Sequence, residues 1–385
     1  MIIKVDFLPK EIFPVLDCLR NNGDSPRIIG GSIRDYLSSN LISDFDIATT
    51  LSPEESKKCL ERAGFNVLDT GIKYGTIKVE NFEITTLRRD VKTNGRHPEV
   101  EYIDDFETDA LRRDLTINSL SMCPYTGVLF DYCGGHHDIE YQNVKFIGNP
   151  EERISEDYLR ILRFLRFTAK YGGGNVNVHC LNACVKSKDK LSSLSRERIL
   201  NEMIKIMIIP ECKNILQIMQ TSNILDAIFP DIKDPLIDKI NCKFTSNVNF
   251  ALLFVNSYAD QVDKLYDMLH NWKFPNKDCV EIRDLCNFYL KYNTIRFENE
   301  IEKEKMFYRL WLFSIDPNNY FDMTTSHKYK YIFKAAPPKF PVSSYELINK
   351  GIVGIRLGNT LKELMELWVM YRGNDEVIRD YVNKL

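Results

Sequence analysis

The sequence predicts an α+β chain: an N-terminal α/β head with a small, mostly antiparallel sheet, followed by an all-helical remainder. Three observations carry this expectation. Strand-like and helix-like segments alternate over residues 1–150, strand signals fade from about residue 151, and helix signals recur from there to the C-terminus. In the head, the strand candidates are residues 26–29, 44–48, 75–79, 82–87 and 128–132, short runs with β-branched or aromatic residues between turn residues. Ser52-Pro53-Glu54-Glu55 marks a helix start, with Ser52 as N-cap, Pro53 in the first turn and Glu55 three residues on; Gly64 ends that helix after Ala63. Asn81, between Val79 and Phe82, suits a hairpin turn joining two strands.

Beyond the head, Ser155 is placed to cap a helix running through Lys170, which Gly172-Gly173-Gly174 closes. Residues 196–207, 212–221, 260–270, 277–292 and 303–313 read as further helices. Pro337, Pro338 and Pro341 mark a linker, after which Ser343-x-x-Glu346 opens a helix and residues 360–371 form a strongly amphipathic one. No internal repeat or low-complexity tract interrupts the pattern.

A chain of 385 residues exceeds one hydrophobic core and suits two to four domains. Its 44% hydrophobic and 27% charged residues fit a soluble globular protein, and no continuous apolar stretch is long enough for a membrane span. The stretch from Met1 to Leu16 holds Asp6, Lys10 and Glu11 and is not Arg-rich, so neither a signal nor a transit peptide is expected, and the expected location is cytoplasmic. The net charge of −3 excludes a uniformly basic nucleic-acid binder but leaves room for a local basic surface. The ten cysteines lie scattered without a Cys-x-x-Cys and are expected to be reduced, buried small hydrophobes; His179, Cys180 and Cys184 have no second ligand pair to make a zinc site.

Asp44-Phe45-Asp46 sits in an apolar context that favours a strand, where residues two apart share a face. Two carboxylates side by side repel unless a cation lies between them, and hard oxygen ligands suit Mg²⁺. A lone Asp-x-Asp is usually a surface pair. Here Gly30-Gly31-Ser32-Ile33-Arg34-Asp35 stands upstream, and paired glycines let backbone N–H groups approach phosphate oxygens. On the strand at 82–87, Glu83 could reach the pair as a third carboxylate, or face solvent. Three carboxylates around two Mg²⁺ ions roughly 3.5–4 Å apart make a site for in-line phosphoryl transfer. In Arg112-Arg113-Asp114-Leu115-Thr116-Ile117-Asn118, two arginines could clamp a triphosphate while Asp114 accepts from a ribose hydroxyl; the alternative is a charged helix start capped by Asp114.

Asp131-Tyr132-Cys133-Gly134-Gly135-His136-His137-Asp138 reads as a tight turn with a supporting role. On the helix predicted at 155–170, Tyr158, Ile161, Leu162 and Leu165 form a buried stripe, leaving Asp157, Arg160, Arg163, Phe164 and Phe167 on the other side. That side suits a nucleobase. An aspartate can accept from the exocyclic amine of cytosine or adenine while an arginine donates to the adjacent ring acceptor. Uracil or guanine would leave buried acceptors facing each other, at a cost of roughly 1–3 kcal/mol. Residues 88–98, polar and charged with one glycine, read as a mobile loop beside the cleft.

Together these segments resemble the class II tRNA nucleotidyltransferases, the CCA-adding enzymes, a family that includes bacterial poly(A) polymerases. Gly-Gly-x-x-Arg-Asp with Asp-x-Asp at 30–46, Arg-Arg-Asp-x-Thr-x-Asn at 112–118, Asp-x-x-Gly-Gly-x-x-Asp at 131–138, Glu-Asp-x-x-Arg at 156–160 and Arg-Glu-Arg-Ile-x-x-Glu at 196–202 follow in order. The likeness covers residues 26–205, with a fainter echo at 351–368. It implies a nucleotidyltransferase head at 1–150, a neck at 151–210, a body at 211–295 and a tail at 296–385, the helical parts gripping tRNA. It implies that Asp44 and Asp46 hold the metals; Glu83 is the candidate third catalytic carboxylate from its place on the strand, not from the resemblance. Gly30, Gly31 and Arg34 would contact the triphosphate and Asp114 would select ribose; Ser32, Arg112, Arg113 and Asn118, within the same motifs, are further nucleotide-binding candidates. Asp157 and Arg160 would read the base, with Arg163 and Arg166 on the same helix, while Glu156, Arg196, Arg198 and Glu202 brace it. The loop at 88–98 would serve addition of the final A. Ser39, Ser119 and His136-His137 depart from the family pattern without removing a functional side chain.

The implied activity is template-independent addition of C, C and A to tRNA 3′ ends from CTP and ATP with two Mg²⁺ ions, without a membrane or an obligate protein partner. The alternatives are a poly(A) polymerase, a CC-only or A-only specialist, and a non-catalytic RNA-binding relative.

Overall fold

Ile47 is fully buried while Asp46 before it is only half-buried, and this alternation organises the sheet of the head. The computed structural model describes residues 1–42, 44–71, 75–92, 99–259, 261–292 and 340–385. Its strands are β1 (Arg27–Ile29), β2 (Phe45–Thr49), β3 (Val67–Gly71), β4 (Thr76–Val79), β5 (Phe82–Thr86), β6 (Arg88–Lys92), β7 (Glu99–Tyr102), β8 (Ser121–Met122) and β9 (Leu129–Phe130). Seven form one sheet in the order β3-β4-β5-β2-β1-β8-β9, and β6 pairs with β7. Every neighbouring pair is antiparallel except β2 with β5, so the sheet is mostly antiparallel as predicted. Asp44 lies just ahead of β2 rather than within it, and residues 88–92 belong to a strand rather than to a loop. β3, β6, β7 and β8 are not foreseen: Val67–Gly71 and Arg88–Lys92 show no period of two, Glu99–Tyr102 alternates over only four residues, and β8 is two residues long.

One register row, Ile28–Ile47–Ile84–Ile77, crosses four strands and is buried throughout, with Met122 continuing it beside Ile28. The next row, on the opposite face, runs Ile29–Asp46–Glu83–Lys78. The row of isoleucines fixes the register, and the register places the charged row.

The head's helices are α1 (Ile12–Asn21), α2 (Gly31–Leu37), α3 (Pro53–Arg62), α4 (Phe106–Leu111) and α5 (Gly135–Glu140). The predicted capping box of α3 is present: Ser52 Oγ accepts from the Glu55 N–H, and the Glu55 carboxylate accepts from the Ser52 N–H. Segment 131–138 is structural, as expected. The Asp131 carboxylate accepts from the backbone N–H groups of Cys133, Gly135 and His136. Asp138, almost fully buried, accepts from Thr116 Oγ1 at 2.6 Å and Lys145 Nζ at 3.0 Å. A Cβ on Gly135 would fall 2.2 Å from the Thr116 carbonyl oxygen, so only glycine lets α5 approach this closely.

The first of two compact units ends at Pro230 and includes α6 (Pro150–Glu156), α7 (Arg160–Tyr171), α8 (Val178–Ser187), α9 (Arg196–Met207), α10 (Cys212–Thr221) and α11 (Ile224–Ile228). Helices α9 and α10 keep their predicted bounds. The single helix predicted at 155–170 is instead two. Asn149, not Ser155, is the cap, accepting from the N–H groups of Glu151 and Glu152 at the start of α6. Ser155 Oγ donates back to the Glu152 carbonyl at 2.7 Å, and the backbone turns extended at Asp157.

The second unit, Asp231–Leu385, carries α12 (Ser246–Phe254), α13 (Val262–Asn271), α14 (Asn276–Tyr292), α15 (Ser344–Asn349), α16 (Gly354–Met370) and α17 (Asp375–Asn383). Helix α12 escapes sequence reading because every residue from Val248 to Phe254 is buried, which leaves no polar face to set a period. Ser343 caps α15 as predicted, and α16 begins earlier than the amphipathic stretch at 360–371. Leu347, Ile352, Leu364, Trp368, Ile378 and Val382 gather α15–α17 into a small core. The helix predicted at 303–313 and Pro337 and Pro338 lie outside the described residues. Among those residues no helix is long and apolar enough to cross a membrane. All ten cysteines are free thiols, and six are buried.

Candidate active site

The charged row of the sheet opens onto a cleft of about 930 Å³ within the first unit. Asp46 and Glu83 reach it from adjacent strands, roughly 4.8 Å apart in the pairing direction. Exposed Asp44 joins them from the residue before β2. Burial, followed by the charges of Glu83 and Asp44, raises the Asp46 carboxyl to about 6, although Arg113 and Arg34 pull it down. A divalent cation relieves that repulsion, so Asp44 and Asp46 fit a magnesium ion. Among the described residues no group of three or more His, Cys, Asp or Glu is gathered closely enough to hold a metal alone. An ion here would complete its shell with phosphate oxygens and water.

The raised carboxyl gives a pH prediction. A proton and a metal compete for Asp46, and the proton gains below about pH 6. The magnesium concentration for half-maximal activity is therefore expected to rise as pH falls from about 7 to 5.5. A magnesium requirement flat across that interval would contradict the assignment of Asp46.

Beside the carboxylates, Gly30 takes a positive φ of 68°, which an L side chain rarely adopts. A Cβ there would stand 3.4 Å from the Arg113 guanidinium. Arg34 is buried against this turn. It donates to Asn118 Oδ1 at 2.6 Å and to Asp35, and its guanidinium lies over the rings of Phe167 and Tyr171. Ser32, predicted on the nucleotide side, points into the interior instead: it is 1% exposed and does not line the cleft. The period of α2 turns it away from Gly30, Gly31 and Arg34.

The segment after α4 continues the lining beside the glycine turn, joined to it by the Arg34–Asn118 hydrogen bond. Asp114 Oδ1 accepts from the Leu115 N–H and Asn118 Nδ2, and Oδ2 from Arg163 Nε at 2.6 Å. Burial would raise its carboxyl, but Arg163 and these hydrogen bonds win and hold it at about 2. Arg163 is correspondingly raised: burial opposes its charge, but Asp114 outweighs burial.

Helix α7 and the turn before it form the third wall. Asp157 accepts from the Leu159 N–H at 3.1 Å and from Arg198 Nη2 at 2.6 Å. Arg160 donates to the Arg153 carbonyl at 2.9 Å and pairs with Glu156. Arg166 lies over Phe167 and donates to Glu202, almost fully buried, at 2.6 Å. Glu156, Arg198 and Glu202 thus each hold a cleft residue from behind, whereas Arg196 stands exposed at the start of α9, outside the lining. Phe164, expected on the polar side, is in the core, stacked on Phe146 at 5.3 Å. α7 is enclosed on most of its circumference, which narrows its polar side to Arg160, Arg163, Arg166 and the edge of Phe167.

The other predicted residues, Gly30, Gly31, Arg34, Asp44, Asp46, Glu83, Arg112, Arg113, Asp114, Asn118, Asp157, Arg160, Arg163 and Arg166, all line this cleft. Sequence reasoning misses Lys78, Asn81 and Lys205, which line it too, and Asp109 behind it. A two-residue turn at Glu80-Asn81 places Lys78 opposite Glu83, so that lysine was within reach of the pattern. The nine cationic and five acidic side chains of the lining leave a surplus positive charge suited to a polyanion.

The sequence matches two families, one described as "Poly A polymerase head domain" over residues 26–145 and one as "Probable RNA and SrmB-binding site of polymerase A" over residues 176–236. Relatives include the human protein named "CCA tRNA nucleotidyltransferase 1, mitochondrial", 32% identical over 93% of this chain and 86% of its own length. The protein named "CCA-adding enzyme" of Streptococcus gordonii is 31% identical over 78% of this chain and 76% of its own. Among solved structures, that of the Bacillus stearothermophilus CCA-adding enzyme in complex with CTP superposes with a TM-score of 0.69 at 22% identity, covering 94% of this chain and 93% of that one. At that identity the likeness concerns the fold.

Proposed function

This chain belongs to the family of CCA-adding tRNA nucleotidyltransferases, and from that premise we propose that it adds C, C and A to the 3′ end of tRNA from CTP and ATP, without a nucleic-acid template. The observation that carries the reading is the meeting, in one cleft, of the Asp44–Asp46 pair with Asp157 and Arg160. One pair suits a metal and a triphosphate; the other suits a base.

In this reading the tRNA 3′-hydroxyl attacks the α-phosphate and pyrophosphate leaves. Magnesium bound at Asp44 and Asp46 would activate the hydroxyl and neutralise charge on the departing pyrophosphate. Glu83 is the third carboxylate of the set, between Asp46 and Lys78 in the register row. Gly30, Gly31 and Arg34 meet the triphosphate together with the adjoining Arg112, Arg113 and Asn118. Asp114, locked by Arg163 and Asn118, keeps lone pairs for the ribose 2′-hydroxyl. Asp157 and Arg160 read the base, braced by Arg198 and Glu156. The head, neck, body and tail divide at residues 150, 210 and 295 in this scheme, and the helical parts hold the tRNA. A cytoplasmic site of action belongs to the same proposal, with cell fractionation as its check.

The test uses tRNA lacking its 3′ end, offered CTP, ATP, both together, or UTP and GTP. Two residues are expected from CTP alone, three from the mixture, and none from UTP with GTP. Long A tails from ATP on generic RNA would show a poly(A) polymerase instead, and arrest after two residues in the mixture would show a CC-adding specialist.

A further inference from the structure

Two arginine side chains and the backbone N–H of a third arginine converge behind the cleft on one side chain that no motif singled out. Asp109, in α4, is 4% exposed. Its Oδ1 accepts from Arg112 Nε at 2.9 Å and Nη2 at 2.7 Å, and from the backbone N–H of Arg88 at 3.3 Å. Its Oδ2 accepts from Arg113 Nη2 at 2.9 Å. Arg88, Arg112 and Arg113 all line the cleft, and the Arg113 charge acts on Asp46. Arg113 also donates to the Asn118 carbonyl, so its fork is fixed at two points.

We propose that Asp109 is a positioning residue for the reaction, a buried carboxylate that ties down the backbone at Arg88, grips the guanidinium groups of Arg112 and Arg113, and aims those two at the triphosphate. Two guanidinium groups brought together repel one another, and a single anion between them offsets that repulsion. One carboxylate against two cations neutralises only part of the charge, which leaves a surplus for the substrate. Burial would raise the Asp109 carboxyl, but Arg113 and Arg112 outweigh it and keep it below its ordinary value, so Asp109 stays an anion. The proposal rests on the reading that Arg112 and Arg113 face the triphosphate.

Orientation and charge predict different things, and that difference makes the test. Asp109→Asn removes an anion from the wall, so electrostatics alone would tighten binding of a polyanion, while loss of alignment would slow the chemistry. In the full-length protein, we expect Asp109→Asn to bind inorganic tripolyphosphate within about twofold of the wild type or more tightly, by calorimetry. Its kcat for CTP on tRNA lacking the 3′ end is expected to fall at least about tenfold. Asp109→Glu keeps the charge but moves the oxygens by one methylene. It is expected to lower kcat about threefold to tenfold with affinity kept, and it serves if Asp109→Asn does not fold. Arg113→Ala is the control for the premise and should weaken tripolyphosphate binding about tenfold. Unchanged kcat in Asp109→Asn or Asp109→Glu, or loss of affinity and kcat in equal proportion, overturns the positioning role. Unchanged tripolyphosphate affinity in Arg113→Ala overturns the reading beneath it.

Discussion

Asp46→Ala is expected to abolish nucleotide incorporation while leaving the fold intact. A metal in such a site contributes several kcal/mol to stabilising transition-state charge, and each ~1.4 kcal/mol is a factor of ten in rate. The expected loss in kcat is therefore roughly a thousandfold or more. Stability should move the other way. The Asp46 carboxyl is raised to about 6 in the folded protein, chiefly by burial and the Glu83 charge, against about 4 in an unfolded chain. A group raised in this way contributes stability below its unfolded value and loses that contribution as pH rises through about 6. At pH 7, without metal, an ionised Asp46 is a burden on the fold, and its removal should raise Tm slightly. Incorporation assays, tRNA gel shifts and thermal melts in EDTA together decide. Turnover within tenfold of the wild type would dismiss the metal role, and a lower Tm with lost tRNA binding would show a folding defect instead.

Arg160→Ala has the second-largest expected effect, on selection rather than on rate. Arg160 is already held by Glu156 and the Arg153 carbonyl, and Asp157 by Arg198 and the Leu159 N–H. Both side chains are thus held in place by the protein itself, and in the proposed reading a mismatched base would meet fixed donors and acceptors. Each unmet group costs roughly 1–3 kcal/mol. Without Arg160, discrimination against UTP and GTP should shrink by about one to two orders of magnitude in kcat/KM, while the Asp44–Asp46 pair remains competent. Competition assays with mixed nucleotides measure it. A variant that slows uniformly for all four nucleotides would remove Arg160 from base selection.

What was legible in the chain was whatever a short local rule could carry. Ser52 and Glu55 announce their reciprocal cap, and residues 196–207 and 212–221 announce their helices through spacing alone. The glycine turn, the Asp-x-Asp pair and the two arginines were recognisable as chemistry, and all reached one cleft. The misreadings come from context that a single motif does not carry, some of it a few residues away and some of it remote in sequence. Ser155 is a good cap residue in isolation, but Asn149-Pro150 starts a helix earlier and Ser155 ends up inside it. Phe164 looked polar-sided until Phe146 covered it from a different segment. Ser32 sits within a phosphate-like motif yet turns inward with the helix. Asp109 carries no motif, and its meaning comes from three partners, one of them 21 residues away.

The register row of isoleucines has a consequence for quality control. A slip of one residue between β1, β2 and β5 would drive Asp46 and Glu83 into the apolar layer and expose Ile47 and Ile84. Such a molecule does not survive as an inactive but folded species, because the error that misplaces its acids also removes its core. Correct folding and a correctly placed charged row are therefore one event. In a purified preparation, the fraction of active sites counted by burst titration should equal the fraction that melts cooperatively.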